Sequence, residues 1–309
     1  MTGGSPLLAL PGAVEADGID TGVAAHYGDP LREQKALLAD DGFVDLSHRG
    51  VVRVSGPDRL SWLHSLTTQH LLDLAPNTAV TTLILSPVGH VEHSICGYDD
   101  GNSFWGHVEP GAAPSLVSWL DRMRFMLRVE VADVTANWAV VAPTPTTVRL
   151  VPRDDLQEFA VGTPVGTWAY EALRIARGEP RFGLDTDHKT IPNEVGWIGT
   201  AVHLDKGCYR GQETVARVHT LGRPPRRLVL LHLDGSVDHV PGNGDPVIHD
   251  DRPVGVVGSA ARHFEMGPIA LALVKRNVAI DASLMAGGVA AAQEVLVDPD
   301  VGLHVRARL

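Results

Sequence analysis

Two consecutive prolines, Pro224 and Pro225, divide this chain into parts with different secondary-structure patterns. Proline lacks a backbone N–H and disfavours helical conformation in the preceding residue, so neither a helix nor a central strand continues through the pair. Before the break, helical spacings alternate with short hairpins. After it, apolar segments such as 228–233 and 269–274 follow one another with Gly and Pro between them. This pattern predicts an α+β region followed by a small all-β barrel or sandwich.

Three segments follow from the pattern. Residues 1–28 are rich in Gly, Ala and Pro without a period, which predicts a loop or tail. We expect residues 29–222 to form the α+β region, with two subdomains that meet near 135–145. The spacing predicts that this region starts with a helix from Asp29 and ends with a helix over Gly211–Leu221. Residues 223–309 form the predicted all-β domain.

Composition limits the possible partners. The chain of 309 residues has a net charge of −11, which disfavours direct binding to nucleic acid because phosphate backbones require clustered cations. A local basic strip fits either one anionic ligand or a solvated linker. Its members are Arg217, Arg223, Arg226 and Arg227.

The expected location follows from targeting signals and cysteine usage. No segment reaches the roughly 18 apolar residues of a membrane span, so we expect no membrane partner. The apolar patch Leu7–Leu10 has no basic residue before it and lacks the start of a secretory signal. Two cysteines, Cys96 and Cys208, are too few for a disulfide framework, although a bridge between them stays open. These features predict a reducing, cytoplasmic setting.

Cys208 is the strongest candidate for chemistry. It lies between Gly207 and Gly211, with Lys206 and Arg210 as cationic neighbours. Nearby cations and a helix N-terminus near Gly211 favour the thiolate form, which predicts a functional thiol. The alternative is a small buried hydrophobe, the usual role of a free cysteine.

Neither a base nor a metal site is evident around the cysteines. His203 lies five residues before Cys208 and is a candidate base, but with 15 histidines in the chain a neighbour at this spacing is also expected by chance. His90, His93 and Cys96 are three apart in a predicted strand and therefore point to alternate faces, so we predict no metal site. Trp197 either stacks on a planar ligand or anchors the core.

The segment Lys206–Glu213 also matches a family signature. Together with the segments 56–68, 171–180, 185–194 and 253–274, it resembles YgfZ-type folate-binding proteins, which are related to the glycine cleavage system T protein, an aminomethyltransferase. The resemblance covers the chain from about residue 30 onwards. Its signature positions are Lys206, Gly207, Cys208, Tyr209, Gly211, Gln212 and Glu213.

The resemblance implies a ring-like, multi-domain aminomethyltransferase folate-binding fold with a C-terminal β-barrel-like domain. It implies tetrahydrofolate or a derivative as cofactor, and iron–sulfur client enzymes or assembly proteins as partners, with a link to tRNA thiomethylation. The implied function is that of an accessory protein in iron–sulfur cluster assembly or repair. The main alternative is a tetrahydrofolate-dependent one-carbon transferase. Direct action on tRNA and a scaffold with a vestigial pocket are further alternatives.

The chain departs from T proteins at two motifs. Residues 89–94 lack the expected catalytic aspartate, and no counterpart of the pterin-gripping glutamate occurs near 147–153. Glycine-cleavage activity is therefore not expected. The candidates to replace the missing carboxylate are Glu92 and Glu194, since a carboxylate accepts two hydrogen bonds from a pterin. The expected folate contacts are Glu92, Arg174, Asn193, Glu194, Trp197 and Tyr209.

Overall fold

A computed structural model of the chain describes residues 4–220 and 222–300. These residues contain six α-helices and seventeen strands, arranged in two open sheets, a two-stranded ribbon and a closed barrel. The mixture confirms the predicted α+β class with a C-terminal barrel. Parts of three predictions lie outside the described residues: the start of the tail (1–3), the predicted helix end at Leu221, and the end of the all-β domain (301–309).

Residues 4–28 are anchored to the rest of the molecule. They contain two short 3-10 helices and the paired strands β1 (Val14–Glu15) and β2 (Ala24–His26). Leu7 is 2% exposed and packs in one core with Phe43 and Leu156. The expectation of a loop or tail therefore does not hold for this segment. Elements of two to four residues are too short to produce a sequence period.

The first open sheet is antiparallel and has the order β5-β6-β7-β4-β8. Helices α2 (Arg59–Leu66) and α3 (Ala113–Met123) cover one face, where Val52 and Val54 pack with Trp62. The opposite face is turned towards the rest of the molecule. The strands are β4 (Gly50–Ser55), β5 (Val80–Leu85), β6 (Val91–Asp99), β7 (Ser103–Val108) and β8 (Glu130–Asp133).

The second open sheet has the order β10-β9-β3-β11, with β11 parallel to β3. Helix α1 (Pro30–Leu38) starts as predicted, because the Asp29 side chain accepts a hydrogen bond from the Arg32 N–H at 3.0 Å. Helix α5 (Thr167–Ala176) is buried along most of its length. The remaining elements are β3 (Gly42–Asp45), β9 (Trp138–Ala142), β10 (Arg149–Pro152), α4 (Leu156–Phe159) and β11 (Thr163–Val165).

A mostly irregular connection, residues 177–211, joins α5 to α6 (Gln212–Thr220). It is held to the barrel by Arg226, whose guanidinium donates two hydrogen bonds of 2.8 Å to Glu194 and one of 2.6 Å to Asp187. Among the described residues, no helix has the length and apolar character needed to cross a membrane.

The C-terminal strands close into a barrel of order β12-β15-β14-β13-β16-β17. On β12, Val229 and Leu231 pack inside the barrel, whereas Leu228 and Leu230 point outwards into a core shared with α5 and α6. The three-residue strand β16 escaped prediction because it is too short for a pattern. The strands are β12 (Arg226–Leu233), β13 (Pro246–His249), β14 (Arg252–His263), β15 (Gly267–Lys275), β16 (Leu284–Ala286) and β17 (Val289–Val295).

Candidate functional site

A cavity of about 530 Å³ lies where the first sheet, helix α5 and the barrel meet. Cys96 and His107 line it from the sheet, Tyr170 and Arg174 from α5, and Leu228 from β12. This volume falls within the range of roughly 300–1,000 Å³ that is typical of small-molecule sites. The walls come from distant parts of the sequence, so this central cavity depends on the complete fold.

A polar row forms one wall of the central cavity. Thr81 is paired with Cys96, and Cys96 with His107, across β5, β6 and β7. Directly opposite residues in antiparallel strands share one face, so the three side chains lie side by side. Burial raises the pKa of the Cys96 thiol. Burial, together with the Arg49 cation, lowers the pKa of His107 to about 3. The row is therefore uncharged at neutral pH.

Aromatic side chains form another part of the lining. Trp197, Tyr170 and Phe182 contribute flat apolar surfaces. Trp197 is 8% exposed and also belongs to the core next to the barrel. It therefore anchors the core and at the same time presents a surface on which a planar ligand can stack.

A buried network built around Asp185 fixes the cavity wall. The Asp185 carboxylate accepts hydrogen bonds from Arg174 Nη1 at 2.9 Å, from the Arg181 N–H at 2.8 Å, and from both the N–H and the hydroxyl of Ser259. Arg174 also binds Glu171 at 2.7 Å. Buried charges are tolerated when they are paired in this way, so the network joins α5, the 177–211 connection and β14.

Lys206 caps a helix. Its side chain is buried, and Nζ donates hydrogen bonds to the backbone carbonyls of His64, Thr67 and Gln69, the last at 3.1 Å. These carbonyls lie at the end of α2, where helical partners are missing. Burial lowers the pKa of Lys206 to about 8. The amine is thus engaged by the end of α2, and its predicted role beside the Cys208 thiol stays a prediction.

The signature segment continues to Glu213, and its Gly211 packs against the turn of the β5–β6 hairpin. Gly211 has a φ of +79°, and an added Cβ would lie 2.5 Å from the Ser86 carbonyl oxygen, so only glycine fits this position. Gln212 accepts a hydrogen bond from the Tyr209 N–H at 2.8 Å and thereby supports the loop before α6. Glu213 is exposed and pairs with Arg217 at 3.3 Å.

Both cysteines are unpaired in the structure, and they lie in different surroundings. Cys208, which follows Gly207, is exposed and does not line the central cavity. Cys96 is the cysteine that lines it. The thiol selected from the sequence is therefore accessible from outside, and the cavity thiol is the one that the sequence treated as incidental.

The six expected folate contacts divide into two groups. Arg174 and Trp197 line the central cavity. Tyr209 lies outside the lining, with Lys206 Nζ 5.1 Å from its ring centroid, and Glu92 forms an exposed pair with Arg210 at 3.0 Å. Among the described residues, neither of these two side chains belongs to the lining of the central cavity.

Asn193 and Glu194 lie in the 3-10 helix Pro192–Glu194 and are also outside the lining. The Glu194 carboxylate binds Arg226. Asn193 is 2% exposed, and its amide oxygen and nitrogen have no hydrogen-bond partner among the described residues. Glu194 is therefore engaged by Arg226 in this structure, and its role as the pterin-binding carboxylate stays a prediction.

Sequence reasoning missed Arg49 and His107. Both residues line the central cavity. Arg49 lies in the turn between β3 and β4, and a single arginine in a turn carries no distinctive signal. The alternation of side chains along each strand is predictable, but the register that pairs His107 with Cys96 cannot be read from one sequence. Within the described residues, no group of three His, Cys, Asp or Glu side chains is placed to hold a metal ion.

Comparison with known proteins places this geometry in context. Residues 24–143 match the GCVT N-terminal domain, and residues 226–297 match the CAF17 C-terminal beta-barrel domain. The crystal structure of the glycine cleavage system aminomethyltransferase T from Bartonella henselae superposes with a TM-score of 0.81 at 16% identity, covering 97% of this chain and 98% of that one. The fold is therefore that of an aminomethyltransferase-like protein.

Relatives in sequence agree with this class. A chloroplastic protein of Arabidopsis thaliana, provisionally named a transferase, is 27% identical over 77% of this chain and 68% of its own length. An aminomethyltransferase of Parasynechococcus marenigrum is 24% identical over 82% of this chain and 84% of its own length. The chain thus combines a GCVT N-terminal domain with a CAF17 C-terminal beta-barrel domain, the combination of the YgfZ/CAF17 family, and is homologous to aminomethyltransferase-like proteins.

Proposed function

We propose that this protein binds tetrahydrofolate or a derivative in the central cavity and acts as an accessory protein for iron–sulfur cluster assembly or repair in client enzymes. The observation that carries the proposal is the central cavity itself, which lies in an aminomethyltransferase-like fold and combines flat aromatic walls with buried arginines. The cluster belongs to the client enzyme and not to this chain.

The lining residues fit a folate. A pterin ring is planar, and Trp197 and Tyr170 offer flat surfaces to it. The uncharged row of Thr81, Cys96 and His107 offers polar partners to ring nitrogens and oxygens. The glutamate end of a folate carries carboxylates, for which an arginine is the natural partner.

Two carboxylates that line the central cavity are bound in ion pairs, and this favours the accessory role over one-carbon transfer. Glu109 pairs with Arg181 at 2.8 Å, and Glu179 pairs with Arg177 at 2.7 Å. A carboxylate whose oxygens are held by a guanidinium is a poor general base, because those oxygens are not free to accept a proton from a substrate. The exposed thiol of Cys208 is instead accessible to a partner protein.

Isothermal titration with tetrahydrofolate under reducing conditions tests the first part of the proposal. We expect saturable binding at one site. Trp197→Ala removes a stacking surface and should weaken binding by about fivefold or more. Trp168→Ala is the matched control, because Trp168 is 54% exposed and outside the cavity. A wild-type protein that takes up no tetrahydrofolate would refute folate binding.

Gene deletion tests the second part. We expect lower activity of cellular iron–sulfur enzymes, rescued by the wild-type gene and by Cys96→Ser but not by Cys208→Ser. Full rescue by Cys208→Ser would remove the thiol from the proposal. Folate-dependent turnover of an aminomethyl donor by the purified protein would instead establish the transferase alternative.

A further inference from the structure

Arg49 is a buried cation without a partner of its own. It is 8% exposed, and its Nε makes no hydrogen bond to any described residue. Its guanidinium forms no ion pair in the described part of the chain and lies only over the ring of Tyr170, at 5.9 Å from the centroid. Arg174 and Arg181, which are equally buried, each bind carboxylates.

The location of Arg49 gives its charge access to a ligand. A second cavity of about 480 Å³ adjoins the central one, and Arg49 lines both. Cys96, His107 and Tyr170 also line both cavities. Arg49 therefore lies at the neck between these two chambers, so a ligand long enough to occupy both would pass its guanidinium.

The positive charge at the neck is uncompensated. The row of Thr81, Cys96 and His107 beside it is neutral at physiological pH. Glu179 is the one carboxylate that lines both cavities among the described residues, and it is half exposed and held by Arg177. A buried, unpaired cation is costly, and an anion delivered by a ligand offsets that cost.

We propose that Arg49 is the carboxylate-recognition residue of this cavity: the ligand spans the two chambers and presents a carboxylate to the Arg49 guanidinium. A single planar guanidinium among neutral groups matches a monoanionic, bidentate carboxylate. A phosphate dianion would leave excess negative charge in the neck. The inference rests on the proposed folate binding, and for tetrahydrofolate the group is a carboxylate of the glutamate end.

The test compares two ligands on two proteins. Tetrahydrofolate carries the glutamate carboxylates, and 6-methyltetrahydropterin has the same ring system without them. By isothermal titration, Arg49→Met should bind tetrahydrofolate about 10- to 100-fold more weakly than wild type. Its affinity for 6-methyltetrahydropterin should be unchanged. Arg122→Met, at an exposed arginine, should leave both affinities unaltered.

A second measurement separates recognition from a structural role. Because Arg49→Met removes an uncompensated buried charge, the ligand-free variant should melt at the wild-type temperature or above it. Equal losses for both ligands, no loss for either, or a lower melting temperature would overturn the assignment of Arg49 while leaving folate binding intact. A wild-type protein that binds neither compound would overturn both proposals.

Discussion

Cys96 and His107 are direct cross-strand partners on β6 and β7, and both face the central cavity. The pair contains a thiol whose pKa burial raises and an imidazole whose pKa burial lowers. The two groups are therefore held in their neutral forms. Cys208, by contrast, is exposed.

The two thiols should react at different rates. We expect Ellman's reagent to modify Cys208 rapidly in the native protein and Cys96 only after unfolding, because Cys208 is exposed, whereas Cys96 lies in a cavity where burial raises the pKa of its thiol. Cys208→Ser should abolish the rapid phase, and Cys96→Ser should preserve it. Rapid release of two equivalents from the wild-type protein would contradict the shielding of Cys96, which is half-buried in the cavity wall.

His107 should make stability sensitive to acid. Its folded-state pKa is about 3, whereas an unfolded histidine takes up a proton near pH 6.5. The stability that this group contributes is therefore complete above pH 6.5 and is lost as the pH falls towards 3. In urea unfolding between pH 6.5 and 4.5, the wild type should lose about 2 kcal/mol more than His107→Gln.

A His188→Gln variant is the control for that comparison, because His188 is exposed. Its unfolding free energy should follow that of the wild type across the same pH range. If His107→Gln and His188→Gln behave alike, the acid sensitivity arises from other groups.

Lys206→Met should lower the free energy of unfolding by about 2–3 kcal/mol. The substitution leaves the last carbonyls of α2 buried without a donor, and an unsatisfied buried polar group costs about 1–3 kcal/mol. Lys189→Met is the matched control, because Lys189 is exposed, and its effect should stay within about 0.5 kcal/mol. Chemical denaturation measures both, and equal effects would contradict the capping role.

Gly258→Ala should disrupt the Asp185 network. An added Cβ would lie 2.2 Å from Asp185 Oδ1 and 2.8 Å from its Cα, so the backbone of one segment must move. Overpacking of this kind costs about 1–3 kcal/mol or more. At Gly235 the nearest atom to an added Cβ is 3.7 Å away, so Gly235→Ala should be tolerated. Thermal unfolding of both variants is the measurement.

Glu194→Gln should destabilise the protein without weakening folate binding. The Glu194 side chain is 1% exposed and neutralises Arg226, so the loss is expected at about 2–4 kcal/mol. Glu213→Gln, at a side chain that is 88% exposed, should change stability by less than about 0.5 kcal/mol. A loss of tetrahydrofolate affinity in folded Glu194→Gln would return Glu194 to the ligand site.

The sequence predicted the parts of the fold that have local signals. The Asp29 cap defined the start of α1, and β13 occupies the predicted residues Pro246–His249. Residues 4–28 and β16 were missed because their elements are too short to show a period. The resemblance carried by Lys206–Glu213 led to the family, which the domain matches confirm.

The candidate site was harder to predict, since its lining comes from residues that only long-range strand pairing brings together. Arg174 and Trp197 were selected from segments near the signature. The positions of Arg49 and His107 in the cavity wall depend on how β4 pairs with β7, and this register cannot be read from a single sequence. The contact of Lys206 with α2 escaped prediction for the same reason, because α2 lies about 140 residues earlier in the chain.

The Asp185 network has a consequence for how the protein can be divided. The Asp185 carboxylate binds α5 through Arg174 and the barrel strand β14 through Ser259. A chain cut at Pro224 would keep Arg174 and Asp185 but lose the Ser259 donors, and it would expose the apolar surface that Leu228 and Leu230 cover. The barrel and the part of the chain before Pro224 should therefore unfold in one cooperative transition. Neither part should serve as an independent module for grafting onto another protein.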